Sequence, residues 1–577
     1  MDNKNQSETQ GLEKDNNIKD NNIFEFKIDE KILESIAEEA LEKNDAEKAL
    51  SIYLEIERTG KYGNLLLQKI ADLYTELGMY TESINYWFKY LSVTSKRNYA
   101  ECYNGLGGNF FLAGYKNIAV YYFNLQINDK GDDDFPFDDY MYELFYENNP
   151  DAQSNDDLKA KTQNIRLYDE KNEADEEKLN LSKKIFEKDK DKAIELLSSI
   201  DINSDCYSEA QIALAPFYLI DKKYDQALHC FEESLNDKKY TDLVLNDILA
   251  VSLLLGDENK CNKAFSELQK RNSADYSRLV KYFILFYKLG EHNVNYEFSK
   301  KVLKLLMPMP NLYVYCGIAA LNVGKASKAY DMFSAYYDVT HSYFADYYRT
   351  LAKNYKGNEK FEFRFLLPDS ALCELSQKAE KLLSVSARSL KKYSKSVFEI
   401  QEASFSTTSM ELQAIACQLL SLLNTSAAEK TLKKLLLSVD VNESIKLIIL
   451  TMLVELGNDK PTPMVFGSIY MIVPYEKVEF NEERGDVFRD AYAVVFGRLA
   501  PYVENDLYKL KNAAYDIYYK FLSNGNIKKV NDPLPLAGLI LSNTDLINSK
   551  KLPGGVMAYL GTSKSEVLKL QQLLEQE

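Results

Sequence analysis

Residues 316–333 read Cys-Gly-Ile-Ala-Ala-Leu-Asn-Val-Gly-Lys-Ala-Ser-Lys-Ala-Tyr-Asp-Met-Phe, and this stretch decides the fold. Two runs of helical spacing flank Gly324, a residue type favoured just past a helix end because it tolerates positive φ. Gly317 and Ala320 precede it, Ala329 follows, and Phe333 stands one helical turn beyond Ala329. Small residues let two helices approach, and the aromatic ring fills the space beside them. The same small-then-large pair recurs upstream at a constant step, at Asn295/Ser299, Cys261/Phe265, Ala227/Phe231 and Ala193/Leu197. Only Asn295/Ser299 is polar throughout. Nearer the start, Ala49/Tyr53 is followed one such step on by Ser83/Trp87, and Ala119/Phe123 comes after a slightly longer one. Gly78, Gly114, Gly256 and Gly290 fall where Gly324 does.

A constant step of about 34 residues is the period of a helix–turn–helix repeat. These positions, with Ala71, Tyr74, Ala215, Tyr218 and Tyr224, resemble the tetratricopeptide family over about 30–130 and 174–340. The resemblance implies an all-α chain: a right-handed α-solenoid of helix–turn–helix repeats, followed by a smaller helical C-terminal region. It also implies a non-catalytic scaffold that binds a partner helix or peptide in a concave groove lined by the first helix of each repeat. Carried over by register, the groove of the first block is polar, with Glu34, Glu38, Gln68 and Asp72. Members that bind chaperones clamp a peptide carboxylate with Lys and Asn here, and Glu34 and Glu38 would repel it. In the second block the groove is apolar: Leu253, Val280, Ile284, Tyr287, Val314, Ile318 and Leu321. Such a surface calls for an occupant, whether a partner helix, this chain's own C-terminal helices or a second copy.

The organisation follows from these blocks. Residues 1–23 read as a disordered polar tail, 24–130 as the N-terminal repeat block and 174–360 as the second block. The interval from Ala119 to Ala193 is slightly longer than two periods, so 131–173 is expected to hold a divergent repeat with an acidic-aromatic insertion. Its carboxylates interleave with Phe135, Phe137, Tyr140, Tyr142, Phe145 and Tyr146. They suit either a distorted helix pair or a docking motif for a basic partner. Residues 361–460 read as helical and HEAT-like in pattern. Residues 461–577 read as helical after a short β excursion near 464–480, where Val465, Ile469, Met471 and Val473 change the period. The last two helices, around Gly561, resemble a degenerate helix-turn-helix. The alternative function is therefore a transcription-linked regulator.

Composition narrows the field further. A formal net charge of −17 opposes phosphate backbones and anionic membrane surfaces, so neither nucleic acid nor membrane is the expected partner. The chain carries seven Cys without a C-x-x-C and three scattered His. Reduced thiols in a cytoplasmic protein are expected, with neither a metal site nor a cofactor. His229 and Cys230 are adjacent, but neighbours on a helix point about 100° apart. No phosphate-binding, dinucleotide-binding or hydrolase motif appears. The sequence predicts no enzyme.

Overall fold

The computed structural model describes residues 30–130, 173–185, 189–202, 204, 206–306, 309–357, 359–475, 478–481, 483–503, 506–549 and 552–576. The tail expected over 1–23 lies outside them, as does the acidic-aromatic stretch read over 131–173 apart from Glu173. The chain forms two compact units, Met1–Tyr62 and Gly63–Glu577.

The first unit holds α1 (Glu30–Glu42) and α2 (Ala46–Thr59). Asp45 caps α2 by accepting from Lys48 N at 3.2 Å, and Gly60 ends it with φ 71°. Leu33, Ala37 and Ala40 form the buried stripe of α1, and Ala49, Leu50 and Tyr53 that of α2. This is the i, i+4 pattern of an amphipathic pair.

The second unit begins with α3 (Leu65–Glu76), α4 (Tyr80–Val93), α5 (Tyr99–Leu112), α6 (Lys116–Lys130), α7 (Glu173–Ile185), α8 (Lys190–Ser198), α9 (Tyr207–Ile220) and α10 (Tyr224–Ser234). It goes on through α11 (Thr241–Leu255), α12 (Glu258–Arg271), α13 (Tyr276–Leu289), α14 (His292–Leu305), α15 (Asn311–Asn322), α16 (Ala326–Thr340) and α17 (Tyr343–Asn354). Ser83, Ala119, Ala193, Ala227, Cys261, Asn295 and Ala329 each stand fourth in the second helix of a pair, and each is at most 1% exposed. Their large partners Trp87, Phe123, Leu197, Phe231 and Phe333 are buried too, while Phe265 is half-buried. The fold is therefore a tetratricopeptide-like α-solenoid, and among the described residues of 30–340 there is no strand.

Close approach explains the small residues. A Cβ on Gly317 would sit 2.7 Å from the Phe333 ring, and one on Gly107 would sit 2.5 Å from Phe123. The polar exception follows the same rule with the sizes exchanged. Phe283, one period before Gly317, supplies the ring from the first helix, and Asn295 supplies the small partner while donating to Phe283 O at 2.8 Å. Ser83 makes the equivalent bond to Ala71 O at 2.8 Å.

Beyond α17 the chain runs through an irregular segment, 359–368, into α18 (Asp369–Leu383), α19 (Ser394–Phe405), α20 (Met410–Leu423), α21 (Ser426–Leu436) and α22 (Glu443–Glu455). Strands β1 (Thr462–Phe466) and β2 (Ile469–Val473) pair antiparallel with Phe466 opposite Ile469. Their turn has positive φ at Gly467 and Ser468 (57° and 63°), as a tight hairpin turn requires. The strands end short of the expected limit at 480, because Phe480 packs as a ring against Tyr515 and Tyr518 at 5.0 and 4.9 Å. The chain closes with α23 (Gly485–Val503), α24 (Leu507–Ser523), α25 (Pro533–Ser542) and α26 (Lys564–Glu575). The helix expected just before Gly561 is a single turn, Val556–Tyr559, because Gly555 at φ 70° delays its start. On α26, Val567 and Leu574 are buried in the same core as Leu539 and Phe521.

This C-terminal part returns to the first repeats of its unit. Asn85 on α4 donates to Asp440 at 2.7 Å and accepts from Val439 N at 2.8 Å. Tyr122 on α6 donates to Ser468 O at 2.6 Å in the hairpin turn, and Phe88 stacks on Tyr470 at 6.5 Å. Tyr74 on α3 reaches Val339 O on α16 at 3.0 Å.

Candidate functional site: two concave surfaces

Part of the apolar surface, around Tyr287 and Tyr315, already has an occupant. Segment 359–368 carries Phe361-Glu362-Phe363-Arg364-Phe365, whose period-two alternation puts a ring at every second residue. Asn322, 2% exposed, donates to Phe361 O at 2.8 Å and accepts from Phe361 N at 2.7 Å. Phe363 lies 5.6 Å from Phe283, 5.9 Å from Tyr287 and stacks on Tyr315 at 6.2 Å. Phe365 meets Tyr315 at 5.5 Å and Phe344 at 5.9 Å. Glu362 and Arg364 are exposed and face each other at 3.5 Å. Of the residues singled out from register, Tyr287 touches this strap. Val314, Ile318 and Leu321 are fully buried, Leu253 and Val280 are half-buried, and Ile284 is 37% exposed. The sequence reading passed over the strap, although its period-two alternation between helical stretches was a usable signal.

The polar surface is open. A cavity of about 530 Å³ lies along α3 and α5, lined by Gln68, Asp72, Thr75, Glu76, Trp87, Glu101, Asn104, Gly105, Gly108, Asn109 and Leu112. Gln68 and Asp72, expected from register, are both in its wall, and Glu34 and Glu38 are exposed on α1 of the other unit. Beneath it, Asn109 donates to Gly105 O at 2.8 Å and accepts from Thr75 Oγ1 at 3.0 Å. Gln68 donates to Glu101 at 2.7 Å. Three carboxylates, Asp72, Glu76 and Glu101, line the cavity, and none of its described lining residues is a cation. Desolvation, reinforced by the Glu101 charge, pushes the Asp72 carboxyl up to about 6. Two polar atoms of the lining residues lack a hydrogen-bond partner: the indole Nε1 of Trp87 and the Oε1 of Gln68. Trp87 was read from sequence only as a core ring.

Five of the seven thiols are buried, Cys206 is half-buried and Cys373 is exposed. Burial pushes the Cys102 and Cys417 thiols up to about 12 and that of Cys230 to about 11, far from a nucleophilic thiolate. His229 is exposed while Cys230 is buried, so the two point apart. Among the described residues no group of His, Cys, Asp and Glu is arranged to hold a metal ion, and no helix is long and apolar enough to cross a membrane.

No protein-family profile matches the chain, and no curated protein matches it either. Among solved structures it is similar to a tetratricopeptide repeat protein from Parabacteroides merdae ATCC 43184, at 13% identity and TM-score 0.19, over 56% of this chain and 99% of that one. It is also similar to yeast Tom70, at 13% identity and TM-score 0.18, over 94% of this chain and 95% of that one. Both scores are too low for a shared superposition, so the fold rests on the helix register itself.

Proposed function

We propose that this chain is a non-catalytic scaffold that engages a protein partner on the polar concave surface along α3 and α5. The observation that carries the reading is the contrast between its two concave faces. The apolar one is covered around Tyr287 and Tyr315 by the chain's own Phe363 and Phe365. The polar one is open, with side chains suited to hydrogen bonding. Burial that keeps the Cys102, Cys230 and Cys417 thiols protonated fits a role in binding.

The test is selection of displayed peptides on the full chain, followed by affinity measurement on Gln68→Ala with Asn104→Ala, and separately on Ile284→Asp. The first variant should weaken the selected peptides and the second should not. The opposite outcome would move the partner to the apolar surface and end this reading.

A further inference from the structure

We infer that the cavity between α22 and α23 binds a small apolar monocarboxylic acid, its carboxylate on the Arg498 guanidinium and its hydrocarbon body against Ile448, Met452 and Val494. The site shares no residue with the surface along α3 and α5 and goes beyond the scaffold reading.

The walls come from two helices in close contact. Gly497 on α23 presses against α22, where a Cβ would fall 2.2 Å from Thr451 Oγ1 and 2.5 Å from Thr451 N. Beside this crossing lies a cavity of about 380 Å³. Leu447, Ile448 and Met452 line it from α22, Val494 and Arg498 from α23, and Tyr559 from the single turn Val556–Tyr559. Leu447 is buried, while Ile448 is exposed at the mouth. Small-molecule sites span about 300–1,000 Å³ and are mostly apolar with a few polar groups that fix orientation. This one has room for a short ligand and none for a helix, which is about 10–12 Å across.

Charge sets the head of the ligand. Arg498 is half-buried, and its Nη1 donates to Tyr559 O at 2.7 Å. Among the described residues no carboxylate pairs with it. Burial pulls the guanidinium below its ordinary value, and the opposing contribution comes from Tyr559 rather than from an acid. Arg278, also half-buried, is matched instead to both oxygens of Asp247, at 2.7 and 2.6 Å. A guanidinium stays charged and offers five N–H donors in a fork that fits a carboxylate. At Arg498 that carboxylate is left to the ligand.

The far end limits the ligand to one acid group. The Asp490 charge acts on Glu455 while Gly497 touches Thr451, so α22 and α23 run antiparallel. Glu455, also in the lining, and Arg498 therefore lie on opposite sides of the crossing. Partial desolvation and the Asp490 charge both raise the Glu455 carboxyl. A second acid group is repelled there, whereas an alkyl end is not.

Calorimetric titration of the full chain tests this with octanoate, octanamide, acetate, octanedioate and a Gly-Ser octapeptide ending in Leu. Octanoate should bind, and octanamide, similar in shape but neutral, should bind about tenfold or more weakly. Acetate lacks the apolar body and should give no measurable heat. Octanedioate should bind more weakly than octanoate and draw level with it in Glu455→Gln. Arg498→Met should erase the preference for acid over amide. Because Arg498 also holds Tyr559 O, a second variant covers the loss of that turn. Ile448→Glu, at an exposed position, places a carboxylate at the mouth and should abolish octanoate binding while keeping the melting temperature. Equal binding of octanoate and octanamide, or an acid preference that survives both variants, would overturn the carboxylate site. A Leu-ended peptide that binds more tightly than octanoate would overturn the free-acid assignment and give the site to a chain terminus. No heat with octanoate at millimolar concentration would end the proposal and leave the scaffold reading standing.

Discussion

Replacing Phe363 by alanine probes the strap that covers the apolar groove. The ring is 7% exposed and meets Phe283, Tyr287 and Tyr315 at 5.6, 5.9 and 6.2 Å. Truncating a buried phenylalanine costs about 3–5 kcal/mol. The segment has no ladder or helix of its own to fall back on; its backbone is held by the two bonds from Asn322 to Phe361, by Tyr348 donating to Leu366 O at 3.2 Å and by Tyr355 donating to Glu359 O. The loss therefore appears as local opening rather than global unfolding. At about 3 kcal/mol the open population rises about a hundredfold. Lys360 and Arg364 place trypsin sites on both sides of Phe363. Where opening and closing are fast, cleavage after these residues should speed up by a similar factor. Phe365→Ala, at a ring already 36% exposed, should give a much smaller change. If cleavage at Lys360 and Arg364 in Phe363→Ala stays within about twofold of the parent, the groove does not hold the strap and the covered-surface argument is wrong.

Gly317→Ala should destabilise the α15–α16 pair, because its Cβ would lie 2.7 Å from Phe333. Overpacking of about 1–3 kcal/mol against a helix-propensity gain of about 1 leaves a net loss of about 1 kcal/mol, read by denaturant midpoint and partly restored by Phe333→Leu. Lys222 holds φ 59° at the register position occupied by Gly256, Gly290 and Gly324 in later repeats. Lys222→Gly should therefore stabilise by about 0.5–1 kcal/mol, and a lowered melting temperature would contradict the register. Glu82 on α4 is pushed up to about 7, from an ordinary 4.5, by burial and by the Asp440 charge. A carboxyl raised in the folded state penalises folding in full above pH 7. That penalty eases as pH falls from 7 towards 4.5. The melting temperature of Glu82→Gln should exceed that of the parent at pH 8 and converge with it near pH 5.

The repeat was legible because one requirement, a small residue beside a ring, recurs at a fixed spacing from Ala193 to Ala329 and survives divergence elsewhere. Asn295 looked anomalous only because the pattern was read on the second helix alone. With Phe283 on the first helix, the summed volume of the pair is kept and only the owner of the ring changes. Gln68 and Asp72 were likewise placed by register. The orphaned Trp87 N–H was not, since it depends on Gly105 in the next helix, which no spacing within α4 reveals. The return of the C-terminal part to α4 and α6, and of α16 to α3, was beyond reach for the same kind of reason. Periodicity reports which face of an element is buried. It carries no information on which distant segment covers that face, and Tyr74 finds Val339 across 265 positions.

A solenoid presents a concave face in every repeat, so the chain must settle what fills each one. Where the face carries Phe283, Tyr287 and Tyr315, water is a poor occupant and the nearest spare segment, 359–368, gains most by covering it. Once Phe363 is buried there, an incoming helix has to displace it before it gains area at these rings. Where the face carries Asp72, Glu76, Glu101 and Asn104, water is an adequate occupant and no described segment of the chain is drawn in. A partner gains on that face through charge and hydrogen bonds to its carboxylates and amides rather than through apolar burial. Affinity there should therefore track the ligand's charge and backbone rather than its apolar area. A heat-capacity change near zero on peptide binding would be the corresponding signature, and a large negative one would place the peptide on the apolar face instead.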